Sequence, residues 1–127
     1  MNENEISKVV LDAAMKVHDK LGPGLLESVY EKVLCYELAQ AALHVERQVV
    51  VPIRYQDMIF EEGFRADIIV ERKVILELKC VEHLTNVHKK QLLTYLRLTG
   101  MKLGLLLNFS ENRLRDGITR VVNGLEE

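Results

Sequence analysis

Residues 64–80 constrain the fold more than any other stretch of this chain. Phe64, Ala66, Ile68 and Val70 alternate with other residues, and Val74, Leu76, Leu78 and Cys80 do so again after the polar triplet Glu71, Arg72 and Lys73. A period of two is the signature of a strand, so the pattern predicts a hairpin whose turn is residues 71–73. Val70 then faces Val74, Ile69 faces Ile75 and Asp67 faces Glu77, with opposed Cβ atoms about 5 Å apart. Lys79, two residues beyond Glu77, shares its face. One face of the hairpin is almost wholly apolar, while the other carries two carboxylates and an ammonium group together with Ile69 and Ile75. Neighbouring carboxylates in a partly buried place repel each other, and burying them without a counter-ion is costly. A divalent cation removes that cost. Mg²⁺ takes a few carboxylates together with waters and phosphate oxygens, which matches this set. A lone Glu-x-Lys is more simply a solvated ion pair; Asp67 across the hairpin is what points to metal-assisted phosphodiester chemistry, with Lys79 orienting the attacking water or neutralising developing charge.

The rest of the chain supplies the layers around this hairpin. Ile6, Val9, Val10, Ala13, Ala14, Val17 and Leu21 form a 3.6-residue stripe, predicting a helix over residues 5–21 that Gly22-Pro23-Gly24 stops. A second helix is predicted over residues 25–42. The β-branched run 45–55 and residues 58–70, with a kink near Gly63, read as two strands joined at Gln56-Asp57, and 74–80 as a third. Residues 85–98 return to helical spacing before Gly100. Residues 102–108 read as a buried strand which, reached through a helix, pairs parallel to an earlier one. Residues 118–122 fit a terminal strand or helix. The order is α-α-β-β-β-α-β, without repeat or linker, and predicts an α/β fold of one domain over residues 1–127.

The acidic N-terminus and the lack of a long apolar run argue against a signal peptide or membrane span, and so for a cytoplasmic protein. Cys35 and Cys80 are far apart, which predicts two buried free thiols. The net charge of −2 is unevenly spread. Residues 1–83 carry 10 basic and 15 acidic side chains, whereas residues 84–120 carry seven basic ones, among them Lys89 and Lys90, against two acidic ones. A basic segment beside an acidic cluster suits a phosphodiesterase, since cations hold phosphates where carboxylates hold metal.

Here the motifs become specific. Asp67, Glu77-Leu78-Lys79 resembles the PD-(D/E)XK nuclease signature, with Ala66 in place of the proline. Gln91 and Tyr95, one helical turn apart, look like the Q-x-x-x-Y motif of its exonuclease-like branch. Gly24-Leu25-Leu26-Glu27-Ser28-Val29-Tyr30 is similar to the signature of the GxxExxY protein family, a small branch of the same superfamily. The resemblance implies a restriction-endonuclease-like mixed sheet flanked by helices. It also implies metal-dependent cleavage of DNA or RNA with Mg²⁺ or Mn²⁺. Asp67 and Glu77 would hold the metal and Glu27 would contribute, often through water. Lys79, Gln91 and Tyr95 would complete the catalytic set, and Tyr30, Lys89 and Lys90 would contact substrate. Bland roles stand beside these: Glu27 favouring a helix dipole, Tyr30 and Tyr95 as core aromatics, Gln91 as a solvated residue. The alternative function is a non-catalytic nucleic-acid-binding or assembly module that keeps the fold. A different phosphate substrate, such as a nucleotide, is a third. Small size favours a homodimer that builds a deeper groove.

Overall fold

The computed structural model describes residues 1–126. Helices α1 (Glu3–Leu21) and α2 (Glu27–Gln40) precede strands β1 (Val45–Tyr55), β2 (Met58–Val70) and β3 (Val74–Lys79). Helix α3 (Asn86–Thr99) leads to β4 (Leu103–Asn108), and a 3₁₀ turn (Leu114–Gly117) to β5 (Ile118–Val122). The sheet runs β1-β2-β3-β4-β5. All neighbours are antiparallel except β3 and β4, which are parallel as the intervening helix required. The terminal segment left open by the sequence is thus a strand.

Helix boundaries differ from expectation by a few residues, each for a local reason. The first helix starts at Glu3 because Asn2 caps it, with Asn2 Oδ1 accepting from the Glu5 N–H while Glu5 accepts from that of Asn2. The second starts at Glu27, since the Leu25 N–H is taken by the Tyr30 hydroxyl at 3.0 Å. It ends at Gln40, where Ala42 turns into the left-handed region at φ 64°.

Two apolar layers clamp the sheet. On one face α1 and α2 bury Ile6, Val10, Tyr30, Leu34 and Leu38 against Ile68, Leu76, Leu78, Leu105 and Phe109. On the other, Leu92 and Leu96 of α3 cover Ile69, Ile75 and Leu106. Phe64 and Ala66 depart from the predicted alternation, because they lie in the α3 layer rather than with Ile68 and Val70. Val45 and Val49 part in the same way on β1. Both strands therefore change faces at Gln48 and Asp67. Gln48 has φ 53° there, which breaks the pleat.

Gly104 sets how closely α3 approaches the sheet. A Cβ at that position would lie 2.8 Å from Leu92 Cγ and Cδ1, so only glycine fits beneath the helix. Gly104→Ala is expected to lower stability by about 1–3 kcal/mol through overpacking, measurable as a reduced midpoint in urea. Cys35 and Cys80 are free, as expected, but half-buried rather than buried. Cys35 sits on the flank of α2, and Cys80 at the end of β3, where its thiol reaches the Leu25 carbonyl at 3.8 Å. No described helix is long and apolar enough to cross a membrane.

Candidate metal centre

The hairpin has the predicted register at its closed end, with Val70 facing Val74, Ile69 facing Ile75 and Ile68 facing Leu76. There the ladder stops, one step before the two acids. Beyond it the carboxylates replace backbone carbonyls as acceptors. The Asp67 N–H donates to Glu77 Oε2 at 2.8 Å, and the Leu78 N–H donates to Asp67 Oδ2 at 2.9 Å. Diverging strands would otherwise leave these donors unpaired in the interior. The fold therefore fixes both carboxylates through one oxygen each.

The second oxygens are differently placed. Asp67 Oδ1 has only a long contact, 3.5 Å from Gln48 Nε2, and Glu77 Oε1 makes no hydrogen bond among the described residues. No buried side-chain oxygen or nitrogen among them lacks a partner, so Glu77 Oε1 must reach solvent. Yet Glu77 as a whole is only 4% exposed. Burial, and then the Asp67 charge, push its carboxyl up to about 8, while its hydrogen bond and Lys79 pull the other way. Asp67 is raised too, first by burial, with Glu31 and Glu27 adding repulsion. A protein that holds two acids this unwillingly charged has a site suited to a cation. No group of three or more His, Cys, Asp or Glu side chains among the described residues is placed to hold a metal ion, so Glu27 does not complete a three-carboxylate cluster with Asp67 and Glu77. An open pair of hard oxygen donors that reaches solvent suits a hard divalent cation that retains several waters.

Lys79 lies two residues past Glu77, half-buried, and faces Asn108 across the parallel ladder. It makes no ion pair within 4 Å among the described residues, but its charge acts on both acids. The strand end is held by Asn108, which is fully buried and bonds both the Val81 N–H and carbonyl, at 3.1 and 2.8 Å. On α3, Tyr95 stacks on Phe64 with ring centroids 3.9 Å apart. Its hydroxyl is raised by burial and then by Glu77 and Asp67, so it lies within their field. Gln91, one turn earlier, is exposed, as are Lys89 and Lys90. No hydrogen bond or ion pair ties those three to the acids.

Helix α2 contributes differently from the reading of its sequence. Glu27 is exposed and accepts from the Cys80 N–H at 3.3 Å, just past Lys79. Tyr30, expected to contact substrate, is instead fully buried. It stacks on Phe109 at 4.6 Å, and its hydroxyl donates to the Gly22 carbonyl and accepts from the Leu25 N–H. That residue anchors the α1–α2 loop, because a buried phenol must satisfy its hydroxyl locally. The sequence reading missed Glu31, which is 4% exposed and accepts from Arg47 and Gln48. Its position one turn after Glu27, beside the buried Tyr30 and Leu34, was the available signal. A shallow cleft lined by His44, Glu71 and Arg72 lies at the turn end of the hairpin, away from the acids.

The three-layer α/β fold thus places an acid pair and a lysine at the opening of its central hairpin. The chain belongs to the PD-(D/E)XK nuclease superfamily, whose family model matches residues 4–121. The fold is restriction-endonuclease-like. No curated protein matches the chain. Among solved structures, that of SSO0001 is similar at 17% identity, with a TM-score of 0.48 over 95% of this chain and 67% of that one.

Proposed function

We propose that this protein is a metal-dependent nuclease that hydrolyses phosphodiester bonds in DNA or RNA. The observation that carries the reading is that Glu77 accepts from the Asp67 N–H and Asp67 from the Leu78 N–H, each through one oxygen, which leaves the other oxygen of each carboxylate for a cation. Asp67 and Glu77 would hold Mg²⁺ or Mn²⁺, with Glu27 approaching from α2. When bound, such an ion polarises the phosphodiester and lowers the pKa of a coordinated water. Lys79, with no close ion pair of its own, supplies positive charge where the phosphorane-like transition state gathers negative charge, and steers the attacking water. Gln91 and Tyr95 lie on the α3 side and would orient the scissile phosphate, and the exposed Lys89 and Lys90 would bind flanking phosphates.

We also place the chain in the GxxExxY branch. The support is that its motif residues have separate duties: Tyr30 closes the loop containing Gly24, and Glu27 turns toward the end of β3.

The test is incubation of purified protein with end-labelled single- and double-stranded DNA and RNA, in Mg²⁺, Mn²⁺ or chelator. Cleavage that needs metal and disappears in Lys79→Ala is expected. Metal-independent binding with a steep salt dependence and no cleavage would instead favour a binding module.

A further inference from the structure

Gln48 is the most unusual residue near the acids, and neither its family motif nor the hairpin pattern accounts for it. It sits on β1 at φ 53°, a left-handed conformation that a strand residue other than glycine rarely adopts. Its Nε2 lies 2.9 Å from both Glu31 oxygens and 3.5 Å from Asp67 Oδ1. Glu31 is itself fixed by Arg47 Nη1 at 3.1 Å. An amide has two N–H groups. One is committed to the buried Glu31 carboxylate, and the other faces the Asp67 oxygen that no backbone group holds. Local strain of this kind persists where the surroundings dictate it, and it clusters at functional sites.

We infer that Gln48, aimed by Glu31, is a positioning residue that fixes the free oxygen of Asp67 for metal binding. The inference rests on the nuclease reading. Asp67 is then held at both ends, by Leu78 through Oδ2 and by Gln48 through Oδ1. A carboxylate fixed in this way loses less freedom when a cation arrives, and groups that orient a metal ligand are worth roughly 10–100-fold in affinity or activity. Glu31 holds the amide in place through both of its oxygens.

Gln48→Gly separates this role from a structural one, because glycine removes the amide while suiting the left-handed backbone. Its thermal midpoint is expected to stay within a few degrees of wild type, whereas Mn²⁺ affinity by calorimetry falls roughly 10-fold or more. Turnover is expected to fall by a similar factor with KM for substrate unchanged. Gln48→Asn, which tolerates the same φ but is one methylene shorter, provides a second variant and the same expected loss. Adding Glu31→Gln to Gln48→Gly is expected to cost little more, since the two act as one unit. If wild type binds Mn²⁺ and cleaves while Gln48→Gly and Gln48→Asn match it within twofold, the positioning role is overturned and the nuclease reading stands. A wild type that neither binds Mn²⁺ nor cleaves overturns both.

Discussion

Replacing Glu77 with glutamine is expected to reduce metal-dependent cleavage by on the order of 10³-fold while leaving the protein as stable as wild type, or more so. Glutamine keeps an oxygen that can accept the Asp67 N–H, so the capping hydrogen bond at the opening of the hairpin survives. What disappears is a buried acid whose charge is opposed first by burial and then by Asp67. Above pH 8 the wild type carries that charge without a counter-ion when metal is absent, and the variant is expected to be more stable by about 1–3 kcal/mol. Activity assays and urea denaturation of the same preparation would read both effects. An ordinary core residue would give the opposite pattern: lost stability with activity falling only through unfolding.

The second large effect is a pH dependence of stability that metal offsets. Glu77 titrates at an ordinary 4.5 in the unfolded chain and at about 8 in the folded one. Between those values the folded protein binds more protons than the unfolded chain, so metal-free stability falls as pH rises. The contribution is fully present below pH 4.5 and lost by the time pH passes 8, with a slope approaching about 1.4 kcal/mol per pH unit. Asp67, also raised by burial, tilts the curve in the same direction. A divalent cation binds the deprotonated pair, so its stabilisation is expected to grow with pH and to flatten the profile. Thermal melts from pH 5 to 9, with chelator and with Mn²⁺, would show the two curves diverging upward from pH 6. Glu77→Gln is expected to remove most of the slope.

Much of this was legible in the order of residues because the hairpin explains itself. The alternation from Ile68 to Leu78 and the polar triplet Glu71 to Lys73 set a register in which Ile68, Ile69 and Val70 find their observed partners. Helix stripes and the glycine at the end of α3 set the layers, and the helix between β3 and β4 dictated their parallel pairing. The strand at residues 45–55 was foreseen, but its pairing with β2 was not. Its tight turn pairs Tyr55 with Met58, and continuing that register would put Glu46 opposite Asp67. The irregularity between Val51 and Ile53 shifts the pairing by two residues and brings Gln48 to that place instead. Gly63 permits it, since a Cβ there would overlap Ile53. Such a shift depends on the close approach of two side chains, which periodicity does not encode. Tyr30 was misread for a related reason: an i, i+3 spacing with Glu27 places both near one side of a helix, but the stacking on Phe109 that buries one of them comes from a strand end far along the chain.

Crystals grown with Mn²⁺ and measured near its absorption edge test the centre most directly. The expected result is one strong anomalous peak in contact with the carboxylates of both Asp67 and Glu77, absent in Glu77→Gln. Mn²⁺ found only at other surface carboxylates, with Asp67 bonded solely to the Leu78 N–H and Glu77 solely to the Asp67 N–H, would contradict a metal centre at the mouth of this hairpin.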